Sequence, residues 1–451
     1  MQALLSFDQA PPISAPLRFF LTAPLFGLLA GGLILYSGPL AFASRWTPST
    51  LALTHLITVG FMLQVMLGAL LQLLPVVVGA NMTRPLLTAR LVHLLLSLGA
   101  LALAAAFISF APLLFGTAVA CLGAGITLFI ASAGRALRGI GASSPTVRGL
   151  KAALLGLAAT VLSGAVLALA LGWSVPLPLL ELTDLHLGWG LMAWACTVLA
   201  AVSFVVVPMF QLTPEYPLWF ARRFAFAVLA LLGLWTLAEL WGAVMPARLL
   251  GAATLAAGAA FAALTLRLLG ASKRPQHDAS HRLWRWSMTS ALLASALWLA
   301  SRFIPALALW AGLPLLLGVL LLLGCFTSAI VGMLYKIVPF LVWLHLQNHG
   351  RGRVLAPNMR KVLPQSRVDA QVLAHFTCCA LATLAVFWPA WFAHAAGLAL
   401  VVANAWLLRN LLYATGVYRK HLLALEADPS KPPSAPGARP ESGVGSGKSP
   451  D

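Results

Sequence analysis

Apolar residues fill this chain in runs of about twenty, long enough at the helical rise to cross a hydrocarbon layer of about 30 Å. Short polar loops separate the runs. In order they predict helices near 19–40, 50–77, 91–112, 114–134, 151–173, 185–209, 224–245, 249–269, 286–305, 311–342, 370–391 and 394–416. Strands of a membrane barrel would alternate apolar and polar residues, and no segment here does. The expected fold is therefore all-α, a polytopic membrane protein of about twelve transmembrane helices.

One of these helices is written three times. Residues 55–79 read HLITVGFMLQVMLGALLQLLPVVVG, residues 186–212 read HLGWGLMAWACTVLAAVSFVVVPMFQL and residues 324–345 read GCFTSAIVGMLYKIVPFLVWLH. Aligned on Pro75, Pro208 and Pro339, each carries a small residue seven positions earlier, at Gly68, Ala201 and Gly332. The first two copies bear a histidine near their start, His55 and His186; the third has Leu317 and Val319 at the matching places. Helices two, six and ten would then mark three pseudo-equivalent four-helix units.

Composition agrees with a bilayer: 61% of residues are apolar and 9% charged, against about a quarter charged in soluble domains. The net charge of +18 would suggest nucleic acid if it were clustered on a recognition fold, but it lies in alternate loops. Arg135, Arg138, Arg148 and Lys151 occupy the fourth loop, Arg222 and Arg223 the sixth, Lys273, Arg274, Arg282 and Arg285 the eighth, and Arg351, Arg353, Arg360, Lys361 and Arg367 the tenth. The intervening loops hold only Arg45, Arg248 and Arg302. By the positive-inside rule both termini are expected in the cytoplasm; the partner is the lipid bilayer, and no nucleic acid is expected. Residues 1–424 are expected to form the transmembrane domain, and its first twenty residues lack the charged region and cleavage site expected of a removed signal peptide. Residues 425–451, rich in Pro, Ser and Gly, form a cytoplasmic tail whose composition predicts disorder.

Few residues carry chemistry. The five cysteines, Cys121, Cys196, Cys325, Cys378 and Cys379, lie in predicted helices with no metal-type spacing, as small packing residues do. A histidine inside a span is costly enough to suggest function, and neutral imidazole ligates heme iron and copper. The alternative is an interfacial histidine bonded to backbone or headgroup. His55 and His186, repeated at one depth on the outer side, are the best candidates. His394 is also expected there, and His93 and His375 nearer the cytoplasm. Glu239 is the carboxylate placed well inside a span, either a proton relay or counter-charge, or a partner of Arg302 at similar depth. Asp184 either orients His186 or caps its helix. Trp189, Trp194, Trp235 and Trp241 either flank a macrocycle or belong to an interfacial belt.

The order His55, Gly60, Phe61, Gly68, Pro75 and Gly79 resembles the second helix of the NnrS family, bacterial polytopic proteins associated with heme, copper and the nitric oxide response. The marked helices two, six and ten also resemble the catalytic subunit of heme-copper oxidases and nitric oxide reductases. The resemblance implies a bacterial inner-membrane protein with His55 as ligand of heme b and His186 as ligand of copper, near the outer face, in respiratory, metal-handling or nitric-oxide-response physiology, with a redox or respiratory-complex partner. It extends over most of the chain in architecture but is specific only around helix two. The sequence departs from it in helix ten, which lacks both histidines and offers Cys325 as the nearest soft ligand, and in helix seven, which has Glu239 and no His-His pair. A complete binuclear oxidase centre is therefore not expected. Two other classes fit the same helices: a permease or transporter, and a structural or assembly partner of a respiratory complex. The parallel direction of the three copies argues against inverted-repeat transporter symmetry.

Overall fold

The computed structural model describes residues 9–141, 144–350 and 356–427. The start of the chain, Arg351, Arg353 and the tail from 428 lie outside the described residues. Twelve membrane-length helices follow one another: α1 (Ser14–Ser37), α2 (Pro48–Val78), α3 (Pro85–Ser109), α4 (Pro112–Arg138), α5 (Pro145–Trp173), α6 (Leu179–Gln211), α7 (Leu218–Leu240), α8 (Val244–Gly270), α9 (Ala279–Ala300), α10 (Leu313–His349), α11 (Gln365–Phe387) and α12 (Pro389–Ala427). Among the described residues there is no strand. Among the described residues, eleven of these twelve are long and apolar enough to cross a membrane.

The exception is α9, a correction to the expected twelve apolar spans. Its sequence ASHRLWRWSMTSALLASALWLA starts seven residues earlier than expected, at Ala279, so its first turns take in His281, Arg282 and Arg285. Asp278 fixes that start by accepting the His281 backbone N–H at 3.0 Å, an N-cap bond. Packing of α9 against α8 and α10 covers its serines.

The three marked helices form the interior. In their most apolar stretches 83%, 61% and 72% of residues are buried for α2, α6 and α10, against 22–50% for the other apolar helices. The remaining helices surround them, and α12 returns against α1 to close the ring.

Each central helix winds in the same irregular way. A π-helical segment covers Leu56–Leu63 in α2, Trp189–Cys196 in α6 and Val319–Thr327 in α10. All three end twelve residues before the aligned proline, and the next residue is polar and fully buried: Gln64, Thr197 and Ser328. The Thr197 and Ser328 hydroxyls donate to carbonyls five residues back, Met192 at 2.9 Å and Leu323 at 3.0 Å, the spacing at which a π turn offers its carbonyl. Gln64 instead donates to Ser97 of α3 at 2.9 Å.

At the small residues of the repeat a preceding helix comes close. A Cβ on Gly68 would lie 2.8 Å from Phe19 of α1, one on Gly149 of α5 2.6 Å from Ala201, and one on Gly332 3.2 Å from Leu283 of α9. A second such level, not evident from the sequence, lies eight residues earlier inside the π segments. There Gly60 meets Phe26 of α1, Ala193 meets Gly156 of α5 and Gly324 meets Ser290 of α9. Thus α1, α5 and α9 approach α2, α6 and α10 at corresponding positions.

Candidate functional site

The loop leading into α2 places the first histidine. Thr47 caps the helix, its hydroxyl oxygen accepting the Thr50 N–H at 3.2 Å, and Pro48 occupies the first helical position. His55 is then seven residues, about 10 Å, into the helix. In α6 the helix begins at Leu179, so His186 is also seven residues in, nearly two turns deeper than expected. Both histidines thus sit at one level.

Tertiary packing makes them a pair. The two imidazole rings lie 6.4 Å apart between centroids, within 18° of parallel. His55 Nδ1 is 2.8 Å from the Leu51 carbonyl, which can only accept, so the neutral ring carries its proton on Nδ1 and leaves Nε2 bare. His186 Nδ1 is 3.1 Å from Ser163 Oγ of α5, and that hydroxyl lies 2.9 and 3.1 Å from the carbonyls of Ala159 and Thr160. When the serine proton goes to one of those carbonyls, Ser163 accepts from His186 Nδ1–H and Nε2 is left bare. Phe107 of α3 packs 4.9 Å from His55. Gly164 of α5 gives His186 its room, since a Cβ there would sit 2.9 Å from the ring.

The chain ends of the site are joined by Arg45, ahead of α2, and Asp184, ahead of His186, paired at 3.4 Å. Asp184 lies within the helix and is neither its cap nor bonded to His186; it ties together the leading segments of the two histidine-bearing helices. Both side chains are substantially exposed, so the pair contributes about 0–1 kcal/mol.

The remaining candidates do not touch the histidine pair, although Glu239 and Arg302 lie within electrostatic reach of Asp184. Glu239 is not deep in a span: α7 ends at Leu240 because Gly242 takes a left-handed φ of 67°, which leaves the carboxylate in the last turn. It accepts the Trp235 indole N–H at 2.9 Å. Arg302 lies beyond α9, exposed, its guanidinium 4.2 Å over the Trp298 ring, so the predicted pairing of Glu239 with Arg302 gives way to separate tryptophan contacts. His394 is exposed beside the Gly38 turn. His93 bonds Thr22 Oγ1 at 2.8 Å and His375 bonds Ser328 Oγ at 2.8 Å. Trp241 is exposed, Trp194 buried, and Trp189 donates to Thr236 at 3.0 Å.

Two imidazoles with free Nε2 atoms suit a metal whose other ligands come from elsewhere: a heme iron, with four ligands from its macrocycle, or a low-coordinate copper(I). Among the described residues no three His, Cys, Asp or Glu side chains gather into a metal-binding group. Sequence reasoning found both histidines but missed Ser163, Leu51 and Phe107, which lie on other turns or helices and carry no motif. No protein-family profile and no curated protein matches this chain.

Proposed function

We propose that this is an oxidase-like, NnrS-like polytopic protein of the bacterial inner membrane that holds a single heme or copper between His55 and His186, near the outer face. Its setting is respiratory, metal-handling or nitric-oxide-response physiology, without a complete binuclear oxidase centre. The observation that carries the reading is the parallel imidazole pair, each ring tethered through Nδ1 so that Nε2 is bare. The common register of the π segments and close approaches in α2, α6 and α10 supports descent from three repeated units.

In this reading His55 and His186 hold the group, the Leu51 carbonyl and Ser163 keep the two rings in the required tautomer, and Phe107 shields His55 from lipid and water. The metal, when bound, would supply electron exchange. The test is optical and metal analysis of the detergent-purified protein and of His55→Ala and His186→Ala. The expected result is a Soret band or a copper with nitrogen ligands and no sulfur, lost from both variants. A parent protein with neither removes the proposal and returns the chain to the transport or assembly classes.

A further inference from the structure

A second cluster of metal-type donors lies away from the histidine pair, where α9, α10 and α11 meet. His375 and Cys379 stand one turn apart on α11, both buried, with Nε2 and Sγ 3.7 Å apart. At bond lengths of about 2.0 Å to nitrogen and about 2.3 Å to sulfur, that spacing corresponds to two ligands of one ion meeting at roughly 120°. Ser328 of α10 is 2.8 Å from the same Nε2. Because its hydroxyl also lies 3.0 Å from the Leu323 carbonyl, its proton is directed there and its lone pairs face the imidazole.

We propose that His375 Nε2 and Cys379 Sγ bind a soft monovalent ion, copper(I), with Ser328 Oγ beside the third position. Charge selects the ion: one thiolate and one copper(I) make a neutral unit that an apolar core tolerates, whereas a divalent ion leaves a net buried charge. Sulfur and imidazole donors select copper(I) among monovalent ions. Binding replaces the thiol proton, which leaves to solvent, and moves the imidazole proton from Nε2 to Nδ1. The adjacent Cys378 plays no part.

The experiment is anaerobic copper(I) titration against a chromogenic chelator, with X-ray absorption at the copper edge, on full-length His55→Ala/His186→Ala protein. That background removes the first site, so the two proposals fail separately. The expected result is one copper(I) per chain with one sulfur in its shell, an affinity at least about tenfold lower in added Cys379→Ala or His375→Ala, and no change in Cys378→Ala. No copper bound, a shell of nitrogen and oxygen alone, or unchanged affinity in Cys379→Ala overturns the site. Should the double variant not fold, Cys379→Ala is made in the parent: loss of the sulfur shell sustains the site and its retention overturns it.

Discussion

Ser163 illustrates what single residues decide here. Its hydroxyl holds His186 in the tautomer that frees Nε2, as an outer partner commonly does for a metal-bound imidazole. Ser163→Ala is expected to lower copper or heme affinity about 10- to 100-fold while costing about 1 kcal/mol of stability. Titration of both proteins reads the effect, and equal affinities would refute the role. The histidines themselves were legible because they are spelled in the repeat. Ser163 was not, since one serine on a neighbouring helix looks like any other until the helices are packed. Glu239 was misplaced because hydropathy carries the α7 run past Leu240, whereas the Gly242 turn stops the helix.

Asp278 is the other residue whose charge is informative. Burial raises its pKa, but the hydrogen bond and charge of Lys336, the His281 backbone N–H and the charge of Arg274, 3.0 Å away, outweigh it and hold the carboxyl below its usual range. A depressed folded-state value means that the carboxylate stabilises the fold fully above its unfolded value, about 3.9, and that this contribution is lost as pH falls through the lower folded value. Asp278→Asn is therefore expected to be less stable than the parent at pH 7, by at most about 3 kcal/mol. The gap should narrow below about pH 4. Thermal melts of both proteins across that range test this, and a pH-independent difference would refute it.

At the scale of the element, the central helices depend on close approach. A Cβ on Gly156 of α5 would lie 2.5 Å from the Ala193 carbonyl carbon in the α6 π segment, a backbone atom that cannot move aside, whereas Gly123 of α4 has nothing within 4 Å. Gly156→Ala is expected to cost about 1–3 kcal/mol as overpacking. Gly123→Ala should be neutral or stabilising, because alanine restricts the unfolded chain. Matched melts that shift equally would contradict this account. Of the contact levels, Gly68, Ala201 and Gly332 were readable because they share the proline register. The level at Gly60, Ala193 and Gly324 was not, because the intervening π winding breaks the 3.6-residue periodicity by which faces are assigned. The buried polar position was hidden for another reason: Gln64, Thr197 and Ser328 share a role but no side-chain type.

For the whole molecule, the question is which face of the membrane the histidine pair serves. Trp46, Trp173, Trp241, Trp388 and Trp391, all exposed, lie at the helix ends nearest His55 and His186, and the exposed Trp219 and Trp286 lie at the opposite ends, so tryptophan marks both headgroup levels. The Arg and Lys residues of the loops after α4, α6 and α8 gather at the opposite end, which the positive-inside rule assigns to the cytoplasm. About 10 Å of helix separates each histidine from its own helix start, so on that assignment a ligand or electron donor would reach the pair from the extracytoplasmic side, across two helical turns. This predicts that a cysteine placed at Ser174, between α5 and α6, is labelled in intact cells by a membrane-impermeant maleimide. One at Ser272, between α8 and α9, should be labelled only after lysis. The reverse pattern would invert the topology and turn the histidine pair toward the cytoplasm, replacing extracytoplasmic access with access from the cell interior while leaving the metal-binding geometry intact.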